Sequence, residues 1–350
     1  MHRSPPFARR PWLALLLLSP SLALAAEKTP TQFDTITVTA TRTEQTLDQV
    51  PNTVSVQSER EIDQKNVKNI QDLVRYEPGV SVSGSGDRFG LSGFTIRGID
   101  GNRILTQVDG VSMPEAFSFG GGPTKFLDSR RNYVDPDTLK RVEIIRGPAS
   151  SLYGSDALGG AVSFLTKDAA HYLDEGDDTY ARLKTGYDGS DDSWQRSATF
   201  AARQGQLDGL LHLGRRDGQA VDSYGDHGGI GAAREESNPL DYTNQSLLGK
   251  VGWNYNATDR LQLTYEKFQS DSTSKVLSDY GTSAFGVTNR TSDAQDSTDR
   301  VRYSLEHSFV LDSLLADKVS WQLNQQDSKT RRSEERRVGK ECRSRWSPYH

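Results

Sequence analysis

Residues 247–266 read LLGKVGWNYNATDRLQLTYE, two alternating runs joined by a short polar turn. In the first run Leu247, Gly249, Val251, Trp253 and Tyr255 share one face, and Leu248, Lys250, Gly252 and Asn254 share the other. In the second, Leu261, Leu263 and Tyr265 alternate with Gln262, Thr264 and Glu266. A repeat of two puts successive side chains on opposite faces of an extended strand. The scheme returns at Val301, Tyr303 and Leu305 and again at Val319, Trp321 and Leu323. Each run is about ten residues, the length of a tilted strand that crosses a bilayer, and aromatics near its ends suit an interfacial girdle. The connections QGQLDG, NATD and LDSLLAD are short, whereas 217–242 and 270–297 are long and polar. Short turns alternating with long loops predict antiparallel transmembrane β-barrel strands over residues 171–330, with the long loops outside the cell. A β-sandwich would also alternate, but without that rhythm.

Upstream, residues 49–170 mix periods and predict a compact α/β domain. Short strands are expected at 53–56, 94–98, 104–111, 142–146 and 161–166. Ser58 and Glu61 form a capping box. Val67, Ile70, Leu73 and Val74 then share a helical face, and Pro78-Gly79 ends that helix. Asp135-Pro136 opens a single helical turn, with proline in its first position. Residues 34–40, DTITVTA, alternate β-branched and small side chains inside a polar stretch, which reads as an edge strand or an extended tail. Residues 1–26 place Arg3, Arg9 and Arg10 before PWLALLLLSPSLALAA, and Ala23-Leu24-Ala25 supplies a small-x-small cleavage site. That is a secretory signal peptide. It leaves 27–48 as a linker and assigns the mature chain to a compartment outside the cytoplasm.

Composition narrows the function. The 350 residues carry 42 basic and 47 acidic side chains, a net of −5, which argues against a nucleic-acid partner. Mean hydropathy is −0.67, and the longest apolar run, residues 12–18, is far short of a spanning helix. One cysteine, Cys342, excludes an intrachain disulfide framework and cysteine-rich metal sites. No nucleophile elbow, acid–base pair or histidine pair at metal-ligand spacing stands out, so neither an enzyme nor a metal centre is expected. GSGDRFG at 84–90 departs from the dinucleotide fingerprint, and residues 147–155 lack the lysine of a phosphate loop.

LKRVEIIRGPASSLYGSDALGGAVSF at 139–164 resembles the plug signature of TonB-dependent outer-membrane receptors. Residues 34–40 resemble their TonB box, and FTIRGIDGNRILTQVDGV at 94–111 their central plug strands. The stretches 88–122 and 129–147 are most similar to the haem, haemoglobin, transferrin and lactoferrin receptor branch. The resemblance implies an α/β plug domain closing a 22-stranded barrel, active uptake of haem or of haem from haemoglobin, and no intrinsic cofactor. Its implied partners are the TonB complex, haem or a haem protein, and outer-membrane lipid. Siderophores or transferrin-type ligands are the alternatives within that class, and a plug-bearing module without transport is the alternative outside it.

The resemblance also assigns residues. Asp34, Thr35, Ile36, Thr37, Val38, Thr39 and Ala40 would offer backbone to a partner's sheet edge. Arg97, Arg141, Glu143 and Arg146 match positions that hold the plug in the barrel by ion pairs. Haem calls for histidine or tyrosine ligands, yet residues 34–170 contain no histidine. Ligand contacts are therefore expected from Met113, Phe117 and Phe119 on the plug apex and from Tyr224, His227 and Tyr280 in the long loops. His212 falls on the lumen face by alternation.

Residues 331–350, RRSEERRVGKECRSRWSPYH, break the pattern. Arginine facing lipid at the bilayer midplane costs about 2–4 kcal/mol, so this basic tail is expected to follow the last strand and to be foreign or frame-shifted, with a basic extracellular loop as the alternative. The strands before it are too few to close a barrel, and open edges are not tolerated in lipid. A chain ending there is expected not to form a working transporter.

Overall fold

A computed structural model describes residues 37–38, 45–46, 53–84, 91–115, 134–174, 176–281, 283–284, 287–311 and 316–340. The chain divides into two units, 1–36 and 37–350, and every described residue lies in the second. Two short strands come first, β1 (Thr37–Val38) and β2 (Gln45–Thr46), paired antiparallel with each other.

The α/β domain is built on a five-stranded mixed sheet. It contains β3 (Thr53–Ser58), β6 (Ile104–Val108), β7 (Val111–Ser112), β8 (Leu139–Arg146) and β9 (Gly160–Thr166), in the order β3-β8-β9-β6-β7. Only β6 and β9 run parallel. A separate hairpin joins β4 (Val80–Gly84) to β5 (Leu91–Ile96). The predicted strand at 104–111 is thus two strands, bent at Asp109 and Gly110, both at positive φ (47° and 79°). Paired positive φ values are what a tight two-residue hairpin turn demands, and Asp-Gly supplies them cheaply.

The capping box is present: the Glu61 amide donates to Ser58 Oγ, and the Ser58 amide donates to Glu61 Oε2 at 2.8 Å. The helix it starts is shorter than the apolar spacing predicts. α1 (Glu59–Gln64) stops before Asn66, whose φ is +47°, and α2 (Ile70–Leu73) restarts under Asn69, whose side chain accepts from the Gln71 and Asp72 amides. Asparagine tolerates the left-handed region and is a strong N-cap, so two asparagines three apart split the helix. Val67, Ile70, Leu73 and Val74 still reach the core, where they meet Phe94, Ile96 and Phe164. A third short helix, α3 (Ser150–Tyr153), follows β8. Gly160 is required where β8 crosses β9, because a Cβ there would strike the Ile145 carbonyl and Ile96.

Seven long antiparallel strands follow: β10 (Thr179–Asp188), β11 (Ser193–Gln204), β12 (Leu207–Gln219), β13 (Leu240–Asn254), β14 (Arg260–Lys275), β16 (Val287–Val310) and β17 (Lys318–Lys340). Each pairs with the next, and the two-residue β15 (Ser283–Ala284) caps the start of β16. Across the register, outward side chains form rows. Leu207, Trp253, Leu261, His307 and Trp321 lie nearest the short turns, and Val251, Leu263, Leu305 and Leu323 lie above them. Next come Phe200, Leu211, Tyr265 and Tyr303, then Leu183, Ala198, Leu213 and Leu247. Most of these side chains are exposed, Leu183 at 81% and Leu323 at 64%. A continuous exposed apolar band is the mark of a lipid-facing surface.

Two expectations are corrected here. The excursion read as a loop at 270–297 is mostly strand, since β14 runs to Lys275 and β16 begins at Val287. Residues 331–340 of the basic tail are not outside the sheet but complete β17, with Arg331 opposite Ser297, Arg332 opposite Asp296 and Glu334 opposite Ala294. The lipid-cost argument does not apply to them, because they stand ten residues or more beyond the Trp321 row, above the apolar band.

The inner face carries the domain. Phe268 of β14 is 4% exposed and belongs to the domain's own core cluster. Phe268→Ala is therefore expected to cost about 3–5 kcal/mol of domain stability. Leu263→Ala on the outer face should leave the domain unaffected. Hydrogen exchange of the β6 and β9 amides distinguishes the two variants.

Candidate functional site

The seam between domain and strands is lined with charge pairs. Most join carboxylates of the domain to cations on the inner faces of the strands, and Lys68 with Asp188 is the reverse case. Asp63 of α1 accepts from Arg182 and Lys184 of β10, both at 2.9 Å. Asp137, in the turn opened by Asp135-Pro136, accepts from Lys184 at 2.8 Å and from Gln195 and Ser197 of β11. Asp135 takes the Ser246 hydroxyl. Higher up, Lys68 reaches Asp188 at 2.9 Å and Ser190 at 3.0 Å.

The densest node is the β6–β7 turn. Asp109 accepts the Thr166 amide at 2.8 Å and its hydroxyl at 2.6 Å, and Arg302 of β16 donates to the same carboxylate at 2.8 Å. Lys250 of β13 stands 3.7 Å away. Arg302 also donates to the Val108 carbonyl and to Glu266, and Glu266 pairs with Arg300. Arg300 and Arg302 have no exposed surface. Burial pushes the Asp109 carboxyl up, but the Lys250 and Arg302 charges and the Thr166 hydrogen bonds outweigh it and hold the group well below the usual carboxylate range. His212 faces the domain as alternation predicts, 3% exposed. Its Nδ1 lies 2.8 Å from the Thr199 hydroxyl and its Nε2 lies 3.9 Å from Asp135.

At the other end the two long loops join. The Gly231 amide donates to the Leu277 carbonyl at 2.9 Å, and Asn238 and Ser278 exchange two hydrogen bonds. This union brings the loop bearing Tyr224 and His227 against the one bearing Tyr280. Tyr224 and His227 are exposed and Tyr280 is half-buried. The His227 carbonyl accepts from the Glu235 and Glu236 amides, which folds that loop back on itself. Exposed Ile230 and Val221 flank Tyr224 in the same loop. Among the described residues no group of three or more His, Cys, Asp or Glu side chains is arranged to hold a metal ion.

The remaining predicted residues are placed differently. Met113 is 8% exposed and packs in the domain core with Val108 and Val134, because its amide bonds Thr106 and turns the side chain inward. Phe117 and Phe119 lie outside the described residues, as do Asp34, Thr35, Ile36, Thr39 and Ala40. Thr37 and Val38 form β1. Arg141 donates to Glu143 at 2.7 Å, along one strand of the domain and not across the seam. Arg146 donates to the Pro78 carbonyl at 3.0 Å, and the Arg97 amide donates to the Gly79 carbonyl. Among the described residues neither Arg97 nor Arg146 has an ion pair. The charges that do cross the seam were legible in part: Arg182, Lys184, Lys250 and Arg302 all occupy the strand face opposite the apolar one.

Two outcomes follow from the seam. Asp109→Asn removes the charge facing Arg302 and is expected to cost about 3 kcal/mol, read as a lower midpoint in urea unfolding of the domain. Glu59 opens α1 beside Lys167, His171 and Arg182. Burial pushes its carboxyl up, but hydrogen bonds from His171 and Lys167, with their charges, win and lower it to about 2. The folded value lies below the unfolded one, so this stabilisation is full above about pH 4.5 and is lost as pH falls toward about 2. Protection of the α1 amides, taken relative to intrinsic exchange at each pH, should fall as pH drops through that window in the native chain and stay level in Glu59→Gln.

Comparison with known proteins agrees with this architecture. The TonB-dependent receptor plug domain family matches residues 46–161. The chain is 30% identical, over 88% of its length, to the haemoglobin-haptoglobin utilization protein B of Neisseria meningitidis, of which it covers 42%. It is 36% identical, over 60% of its length, to the haemoglobin and haemoglobin-haptoglobin-binding protein of Haemophilus ducreyi, of which it covers 22%. The chain thus spans less than half the length of these curated relatives. Among solved structures, the FrpB iron transporter of Neisseria meningitidis superposes with a TM-score of 0.63 at 20% identity, covering 79% of this chain and 41% of that one. Residues 46–161 are thus a TonB-dependent receptor plug domain, seated on the inner face of antiparallel strands that share the fold of a solved outer-membrane iron transporter.

Proposed function

We propose that this protein serves TonB-dependent uptake of haem, either free or drawn from haemoglobin, across the outer membrane. The observation that carries the reading is the plug held against the lumen face by buried ion pairs in a chain whose relatives are named for haemoglobin use. In this reading Tyr224, His227 and Tyr280, gathered by the joined loops, contact the ligand together with Phe117 and Phe119. A tyrosine or histidine there supplies the axial ligand, since residues 34–170 contain no histidine. Arg97, Arg146 and the Arg141–Glu143 pair, bonded within the plug, would serve the plug–barrel contact by holding the plug's shape.

Residues 34–40 would engage TonB by strand addition. Thr37 and Val38 already pair with Gln45 and Thr46, so docking exchanges an internal pairing for the partner's sheet edge. Strand addition uses main-chain donors, and proline removes one. The test is haem titration and haem-dependent growth of the native receptor and of Ile36→Pro. The native form is expected to shift the Soret band and support growth, and Ile36→Pro to keep the shift and lose growth. Retained growth in Ile36→Pro sinks the TonB assignment. Absence of a Soret shift in the native form sinks the haem assignment and turns the reading toward a ferric siderophore or a transferrin-type ligand.

A further inference from the structure

One buried pair on the seam is only half made. His212 of β12 is 3% exposed and faces Asp135, in the plug turn that opens with Asp135-Pro136. Its Nδ1 is engaged by the Thr199 hydroxyl, but among the described residues its Nε2 has no hydrogen-bond partner. That nitrogen stops 3.9 Å from Asp135 Oδ2, within reach of an ion pair and beyond a hydrogen bond. The wall leaves space for the meeting. Gly214, next on the same face of β12, brings no side chain, and a Cβ there would strike Ser246 and Asp135 and stand 3.3 Å from His212 Nε2. A void of about 30 Å³ borders Asp135, Gly214 and Phe268, so the carboxylate has room to move.

We propose that His212 and Asp135 form a proton-operated latch between plug and wall. Neutral, the imidazole spends one nitrogen on Thr199 and leaves the other short of the carboxylate. Protonated, it donates from both nitrogens, and the second closes on Asp135 as a charge-assisted bond. Asp135 stays ionised throughout: burial pushes its carboxyl up, but His212, the Ser246 hydroxyl and the Asp137 amide outweigh it and lower it to about 2. The other charges around the pair are engaged: Asp137 by Lys184, Lys250 by Asp109, Glu266 by Arg300 and Arg302, and Lys68 by Asp188. Arg216 donates to Ser193 and Gln195. Leu248, opposite His212 on β13, is apolar, and burial pushes the Tyr172 hydroxyl up, which keeps it neutral. Imidazole is the side chain that titrates between about pH 5 and 8. The added hold exists only with the proton bound, so it is full in mild acid and is lost as pH rises toward about 8. The plug turn is thus gripped harder as the medium acidifies. The inference needs only the plug on the inner face of the strands, and it is independent of the ligand carried.

Hydrogen exchange of the full chain in detergent, taken relative to intrinsic exchange at each pH, tests the latch. The reporters are the Thr138 amide, bonded to the Asp135 carbonyl, and the Lys167 amide, bonded to the Thr138 carbonyl. In the native chain their protection is expected to rise about fivefold as pH falls from about 8 to about 5.5. It should stay level in His212→Gln, which can still bond Thr199, and in Asp135→Asn, which can still accept the Asp137 amide without carrying the charge. The Glu59 effect sets in only below about pH 4.5 and does not enter this window. A purely structural role for either residue would shift protection equally at every pH, so the slope separates a latch from a packing contact. A level native profile overturns the proposal, as does a slope of opposite sign or one that survives in either folded variant. The two variants act from opposite sides of the seam, so misfolding of one, seen as altered β-sheet circular dichroism, leaves the other to decide.

Discussion

Two arginines without exposed surface, Arg300 and Arg302, lie side by side on the inner face of β16, and the fit of plug to strands depends on how their charge is met. A buried guanidinium is costly unless paired and hydrogen-bonded. Glu266, on the neighbouring strand, pairs with both, yet one carboxylate cannot balance two cations. Asp109 adds a second carboxylate from the plug side, facing Arg302 and Lys250 from the tip of a hairpin whose Asp-Gly turn leaves little freedom of approach. The sheet alone would therefore hold an excess of buried positive charge, and so the plug is needed for electrostatic as well as steric reasons.

The same logic extends along the seam. Asp63 and Asp137 meet Arg182 and Lys184 near one edge of the sheet, and Lys68 meets Asp188 toward the loops. Such contacts fix register and orientation more than they add net stability, since each pair gives up hydration to form. Apolar packing supplies what they do not: Phe268 projects from β14 into the plug core. Polar pairs decide where the plug sits, and apolar contact holds it there.

How much of this could be read beforehand follows from which forces are local. Period-two alternation located the strands because lipid on one side and plug on the other impose it residue by residue. The capping box and the Asp135-Pro136 turn were legible for the same reason. The split of the helix at Asn66 and Asn69 was not, because apolar spacing ignores a backbone break. The strand reaching Lys340 was missed because lipid exposure was assumed for residues that stand above it. Met113 shows the limit for sites: a residue near an apex by sequence turns inward through one backbone hydrogen bond to Thr106. The seam pairs were half visible, as charges on the inner face of strands, but their plug partners are far away in sequence and follow only from the fold.

The length of β16 has a consequence for what this surface can meet. A 24-residue strand extends about 80 Å at the usual rise, while a tilted crossing uses about ten residues. Some 40 Å of hydrogen-bonded sheet, measured along the strand, therefore stands clear of the hydrocarbon, with β14 and β17 beside it. Paired backbone at that height is stiff, so the joined loops ride on a parapet and not on slack chain. A bulky visitor would be met on that raised rim, before any part of it reached the lipid.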